Sequence, residues 1–192
     1  MSLVKERLEA GVPPLQIVGN LQEGMTEVGL RFESGEYFLS ELIMSGEIMK
    51  KAMALLEPHL VGASQEYRGN IVIGTVKGDI HDLGKNIVVM LLKGTGYNVI
   101  DLGVDVPPER FVEAIRQHQP QVVGMSILLT TCYRSVSATV EAIRQAQLRQ
   151  QVRIMVGGAA ASDLLREVSG CDFYGKTAVD GVKFASQVAG LS

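Results

Sequence analysis

Asp79 and His81 stand two residues apart in the stretch Lys77-Gly78-Asp79-Ile80-His81-Asp82-Leu83-Gly84-Lys85-Asn86, which sets two acids and a histidine between two glycines. A carboxylate at that spacing can hold one nitrogen of the imidazole and leave the other free as a base or a metal ligand. Taken alone, a solvated loop carrying an Asp and a His is the plainer reading. Three sharper chemistries compete with it. A phosphate-binding loop needs Gly-x-x-x-x-Gly-Lys-Ser/Thr, whereas Gly78 and Gly84 enclose five residues and Lys85 is followed by Asn86. A hydrolase triad would recruit Ser126 or Cys132, but Gly124-Met125-Ser126-Ile127-Leu128 lacks the second glycine of a nucleophile elbow. A zinc site made only of protein groups needs more ligands beside His81, and His59 and His118 fall at the ends of other helical segments. A metal that brings most of its own ligands stays open.

Three further stretches carry unusual side chains. Ser126-Ile127-Leu128-Leu129-Thr130-Thr131 spaces hydroxyls with apolar residues; a helix cap is its plain reading. Gly157-Gly158-Ala159-Ala160-Ala161 has little or no side chain, as if backbone had to lie against something flat or bulky, or simply as a tight turn. Tyr174-Gly175-Lys176-Thr177-Ala178 could complete a wall beside them.

The elements that must position these stretches follow from periodicity. Over 13–32, Ile17, Val18, Leu21, Met25, Val28 and Phe32 recur at steps of three and four and predict a helix opened by Pro13 and Pro14. A second stripe, Phe38, Leu42, Met49, Met53, Leu56 and Leu60, repeats the spacing, so residues 1 to about 64 read as a small helical bundle. From Asn70 the pattern changes. Strands are predicted over 70–76, 98–102, 122–126, 152–156 and, more weakly, 171–174, alternating with helices over 84–93, 108–118, 134–147, 162–168 and 178–189. Such alternation predicts an α/β fold with a five-stranded parallel sheet in the flavodoxin-like (Rossmann-like) order, with ligands beyond the carboxyl ends of the strands. All four stretches then fall at strand ends. The polar segment 62–69 reads as a linker, dividing a helical cap domain, 1–66, from a Rossmann-like domain, 67–192.

The chain of 192 residues has 46% apolar and 20% charged residues, an ordinary globular balance. Eighteen basic against 21 acidic residues give a net charge of -3, and aromatics are only 5%, which argues against nucleic acid as a partner. Cys132 and Cys171 are too few and too far apart for a disulfide framework or a zinc cluster, and they place the chain in the reducing cytoplasm. No stretch is apolar for long enough to serve as a membrane span or signal sequence, so no membrane association is expected.

Asp79-x-His81-x-x-Gly84, then Ser126-x-Leu128, then Gly157-Gly158, resembles the three-part signature of base-off cobalamin-binding domains. These occur in cobalamin-dependent methionine synthase and in the corrinoid proteins of methyltransferase systems. The segment Gly29-Leu30-Arg31-Phe32-Glu33-Ser34-Gly35-Glu36-Tyr37-Phe38-Leu39 is similar to the cap that precedes the domain in these proteins, so the resemblance spans nearly the whole chain.

The resemblance implies that His81 replaces the cofactor's dimethylbenzimidazole as lower axial ligand of cobalt, with Asp79 accepting a hydrogen bond from its other nitrogen. It places Gly78, Ile80 and Asp82 in the same cofactor-binding loop and gives Gly84 the task of turning that loop so the displaced nucleotide tail can enter. Ser126, Leu128 and Thr130 would line the pocket of the tail, Gly157 and Gly158 would let backbone pass against it, and Tyr174, Gly175 and Ala178 would add contacts. Phe38 and Leu42 would cover the methyl face from the cap. The cofactor would alternate between cob(I)alamin and methylcob(III)alamin, and proton uptake by the Asp79–His81 pair would accompany release of the ligand. The implied function is a stand-alone methyl carrier between a substrate:corrinoid methyltransferase and a second methyltransferase serving tetrahydrofolate or coenzyme M, kept active by a reductive activase. A cobalamin-responsive sensor, or the small subunit of an adenosylcobalamin-dependent mutase, are the alternatives. The carriers for methanol, methylamines, aromatic methyl ethers and quaternary amines resemble one another, so the donor is not distinguished. The chain departs from the pattern at three points. Ser40 stands where the family commonly has Pro and is expected to open the helix as an N-cap. Cys132 replaces the serine that continues methionine synthase's proton relay, and the amino-terminal part is short.

Overall fold

The strand Asn70-Ile71-Val72-Ile73 sends Ile71 and Ile73 into one apolar layer and Val72 into another, as the two-residue period of a strand requires. The computed structural model describes residues 2–59 and 67–190. They form two compact units, one built from residues up to Tyr67 with residues 93–96 grouped with it, the other from the remaining residues after Tyr67. The linker predicted over 62–69 falls mostly outside the described residues, as does Leu60.

The second unit contains β1 (Asn70–Thr75), α4 (Leu83–Gly94), β2 (Asn98–Asp101), α5 (Pro108–His118), β3 (Val122–Ser126), α6 (Tyr133–Gln145), β4 (Arg153–Gly157), α7 (Asp163–Ser169), β5 (Phe173–Gly175) and α8 (Ala178–Val188). All neighbouring strands pair in parallel, in the order β2-β1-β3-β4-β5. This is the flavodoxin-like order, with chain direction across the sheet reversing at β1. One face packs against Phe111 and Ile115 of α5, Val136, Val140 and Ile143 of α6, and Leu165 of α7. The other packs against Val89 and Leu92 of α4 and Ala185 of α8. Each strand is covered on both faces, which is why the strands read as near-continuous apolar runs.

Two boundaries lie two residues from the sequence pattern, each for a local reason, while others shift by a single residue. β5 starts at Phe173 because Cys171 still belongs to the end of α7: Gly170 is left-handed at φ 76°, and Cys171 N–H donates to Arg166 O at 3.1 Å. α6 stops at Gln145, with Gln147 turning the chain at φ 62°.

The first unit holds α1 (Ser2–Glu9), α2 (Pro14–Glu33), α3 (Leu39–Leu56) and one 3-10 turn, Glu57–His59. Val4, Ile17, Val18, Ala52 and Leu56 form its core. The break after α1 comes at left-handed Gly11, φ 77°, followed by Pro13 and Pro14 at the start of α2. Ser40 does not cap α3. It lies inside the helix, where its hydroxyl donates to Glu41 Oε2 at 3.0 Å, and the same Glu41 oxygen reaches back to accept Phe38 N–H at 2.9 Å. The glutamate arm of a capping box thus replaces the hydroxyl expected at that end. Phe38 is 72% exposed and Leu42 is fully buried, so these two differ in access although they lie one helical step apart.

Ile154, the second residue of β4, is fully buried. Ile154→Ala is expected to lower stability by about 2–5 kcal/mol, whereas truncating the exposed Leu164 of α7 should change it by less than about 0.5 kcal/mol; urea unfolding of both variants checks the difference.

Candidate functional site

Thr75 is paired with Ser126, Ser126 with Gly157 and Gly157 with Gly175. Register alone therefore sets the ends of β1, β3, β4 and β5 in one row, and the loops leaving them share one edge of the sheet.

β1 passes into a turn from Val76 to Asp79, closed by Asp79 N–H donating to Val76 O at 3.1 Å. Gly78 holds the third position at φ 88°, the left-handed backbone a type II turn demands there. The chain then runs without regular structure to Asp82, and α4 begins at Leu83, so Gly84 is helical. The resemblance has Gly84 turn this loop to admit the nucleotide tail; in the structure Gly84 lies in α4, and the left-handed residue of the loop is Gly78. A side chain at Gly84 would meet only open space.

Asp79 is completely buried. Its Oδ1 accepts His81 N–H at 3.1 Å and pairs with His81 Nδ1 at 2.7 Å. Its Oδ2 accepts Leu128 N–H at 2.6 Å and Leu129 N–H at 3.2 Å. Burial pushes the carboxyl up, but the hydrogen bonds from Leu128, the His81 ring, the His81 backbone and Leu129 together outweigh it and hold it below its ordinary value of 3.8. An ionised carboxylate offers only lone pairs, so Nδ1 carries a proton, and in the neutral ring Nε2 keeps its lone pair. The Thr75 hydroxyl, buried at the end of β1, donates to His81 O at 3.0 Å. The ring is thus fixed from one side while the His81 side chain stays 49% exposed.

The remaining residues of the pattern take the following places. Ile80 and Asp82 are exposed, and Asp82 accepts from Asn86 Nδ2 at 3.0 Å, steadying the entry to α4. Leu128 has an exposed side chain, but its N–H is spent on Asp79. Thr130 opens a short 3-10 turn, Thr130–Cys132, that leads into α6. Gly158, at φ 111°, lies so close to the loop after β3 that a Cβ would overlap the Ile127 carbonyl oxygen. Its smallness is required by the fold's own backbone. Tyr174 and Gly175 are half-buried in β5, and Ala178 opens α8, whose amino end is closed by the Thr177–Asp180 capping box. Cys132 Sγ faces Gly78 and lies 3.9 Å from Thr131 Oγ1, while both Asp79 oxygens are taken by other donors.

The loop after β2, which the sequence pattern leaves out of the site, borders it. Asp105 N–H donates to Asp79 O at 2.8 Å, and Asp105 Oδ1 accepts Gly78 N–H at 2.8 Å. Lys85 of α4, only 2% exposed in its side chain, joins Asp101 Oδ2 at 2.6 Å. Ile80, Val104, Leu128 and Leu129 on these bordering loops, and Leu83 at the first position of α4, expose apolar side chains. Nothing in the sequence marked Leu83 or Val104 for the site, since single apolar residues carry no period.

Among the described residues no group of three or more His, Cys, Asp or Glu side chains could hold a metal ion. A metal at His81 must therefore bring its other ligands with it. A profile of the B12 binding domain matches residues 69–183, and a second one, also described as a B12 binding domain, matches residues 1–57. The trimethylamine corrinoid protein 1 of Methanosarcina acetivorans is 37% identical over 183 residues, covering 94% of this chain and 85% of that protein. The chain belongs to the B12-binding corrinoid proteins. Among solved structures, a cobalamin-binding protein of Desulfitobacterium hafniense superposes with a TM-score of 0.82 at 35% identity over 97% of this chain and 89% of that one. A chain of the methanol:cobalamin methyltransferase complex of Methanosarcina barkeri reaches 0.88 at 28% identity, over 98% of this chain and 72% of that one.

The cofactor of this corrinoid protein is cobalamin or a related corrinoid. The residues present fit it: one exposed imidazole with a single available nitrogen, exposed apolar side chains on the bordering loops, and strand ends of glycine beside them.

Because the folded Asp79 carboxyl titrates below 3.8, its contribution to stability is complete above that unfolded value and is lost as the pH falls through the lower folded one. Asp79→Asn should therefore destabilise the apoprotein by about 1–3 kcal/mol near neutrality, with the gap to wild type closing in acid; urea unfolding at neutral and strongly acid pH measures both. Gly158→Ala should cost about 1–3 kcal/mol or more from the left-handed backbone and the overlap with Ile127, read as a lowered Tm.

Proposed function

We propose that the chain is a methyl-carrying corrinoid protein in which His81 Nε2 would ligate the cobalt of a corrinoid bound base-off. The observation that carries this reading is the pair at 2.7 Å between His81 Nδ1 and the buried Asp79 Oδ1. It fixes the tautomer, orients the ring and raises the basicity of the free nitrogen. When bound, the corrinoid supplies a cobalt centre that takes up and gives up a methyl group. Asp79 and Thr75 hold the histidine in place throughout. Ser126, Leu128, Thr130, Gly157 and Gly158, with Tyr174, Gly175 and Ala178 beyond them, bind the nucleotide tail along the edge where the register sets β1, β3, β4 and β5 in one row. The exposed Ile80, Val104 and Leu129 would shield the bound corrinoid from water.

A methyltransferase that loads the methyl group is the partner, as the names of the trimethylamine corrinoid protein and of the methanol:cobalamin complex support. Those two relatives serve different donors, so the donor is decided by the partner. A second methyltransferase passing the group to tetrahydrofolate or coenzyme M, and a reductive activase, complete the system. The two cysteines, free and buried, fit a cytoplasmic protein, and among the described residues no helix is long and apolar enough to cross a membrane.

The test is a visible absorption titration of wild-type apoprotein and of His81→Ala with hydroxocobalamin, followed by reduction and methyl iodide. Wild type should bind with the spectrum of an imidazole-ligated, base-off corrinoid and take up about one methyl group per protein, and His81→Ala should lose the imidazole-ligated spectrum. Identical spectra for the two would remove His81 from the ligand position. Asp79→Asn should keep the ligand but weaken its hold by about 10–100-fold, seen as a larger unligated fraction in the same spectra.

A further inference from the structure

His81 lies on a segment, residues 79–82, that has no regular secondary structure, yet the ligation proposed above needs its ring in one place. On the inner side the segment is held by Leu128 and Leu129 through Asp79 Oδ2. We propose that Asp105 is a positioning residue for His81, gripping the Val76 to Asp79 turn from the outer side by one accepted and one donated hydrogen bond. The inference rests on His81 being the cobalt ligand.

Asp105 Oδ1 accepts Gly78 N–H at 2.8 Å, and Asp105 N–H donates to Asp79 O at 2.8 Å. The bracket therefore spans the last half of the turn and ends on the residue whose side chain holds the imidazole. Its backbone explains why the position suits an aspartate. Asp105 sits at φ 53°, a left-handed conformation that Asp and Asn tolerate and that bulkier residues resist. In that conformation one short side chain and its own N–H both face the turn.

The loop carrying Asp105 is itself anchored on two sides. Thr75 N–H donates to Gly103 O at 3.0 Å and Val106 N–H to Thr75 O at 3.0 Å, which continues the parallel pairing past the end of β1. Asp101 Oδ1 accepts Gly103 N–H at 2.9 Å, and its Oδ2 is joined by the buried Lys85 from α4 at 2.6 Å. The bracket is thus a fixed point. Lys77 also reaches Asp105 Oδ2, at 3.1 Å, but both side chains of that pair are about half exposed, so it adds little.

Asp105→Gly keeps the left-handed backbone and removes the acceptor; Asp105→Asn keeps both an oxygen acceptor and the backbone conformation. In the apoprotein, hydrogen exchange of the Gly78 amide should be about tenfold or more faster in Asp105→Gly and close to wild type in Asp105→Asn. After loading with hydroxocobalamin, Asp105→Gly should show an increased fraction without the histidine ligand in the visible spectrum, and Asp105→Asn should restore the wild-type fraction. Lys77→Met should leave both readouts unchanged. Wild-type exchange at Gly78 and a wild-type spectrum in Asp105→Gly would overturn the proposal, as would failure of Asp105→Asn to rescue. If wild type and His81→Ala give the same spectrum, it is the ligand assignment that fails, and the Gly78 exchange in the apoprotein still reports whether the bracket exists.

Discussion

Asp79 carries a negative charge into a place with no access to water, and the surrounding loops are arranged around that fact. Moving an ionised carboxylate out of solvent costs several kcal/mol unless its lone pairs are filled by good donors. Here four donors fill them: two belong to His81, and two are backbone N–H groups of Leu128 and Leu129. Satisfying the charge and aiming the imidazole are therefore the same arrangement. If the loop after β3 moved, the carboxylate would lose half of its donors, and the ring of His81 would lose its fixed partner.

The parallel sheet makes this possible by bringing loops from distant parts of the sequence to one edge. Asp79 and Leu128 are separated by 49 positions in the chain, yet the pairing of Thr75 with Ser126 sets their strands in register just before the two loops begin. The glycines at the row's far side serve the same close approach. Gly158 has room only for a hydrogen because the Ile127 backbone lies against it, and Gly157 faces Gly175 across the neighbouring pair.

A corrinoid carrier asks little of its protein in covalent chemistry, because the cobalt does the transfer. On the reading proposed above, the chain supplies one nitrogen, held in a fixed tautomer and left accessible, on a surface apolar enough for a macrocycle. The half-exposed His81 ring over a buried Asp79 meets the first demand, and the exposed apolar side chains of the bordering loops meet the second. No group of three or more His, Cys, Asp or Glu side chains among the described residues could hold a metal ion.

The helical and α/β halves, the strand count and the sheet order were legible in the sequence, because apolar periods of 3.6 and 2 record which faces are buried. Asp79 and His81 were legible too, since two residues on one loop must meet wherever the loop goes. The Ser40 cap was misread because the competing Glu41 arm depends on a backbone N–H that no residue type announces. That Gly78 carries the left-handed turn of this loop was not legible, because glycine identity does not reveal φ. Leu128 and Leu129 as donors to Asp79, and Asp105 against Gly78, belong to the tertiary structure alone. In each contact the donor is a backbone N–H, which every residue but proline possesses, and the partners lie on loops that only strand register brings together. The sequence by itself determined the fold and set Asp79 beside His81 on one loop; the tertiary structure decided which backbone groups hold that pair still.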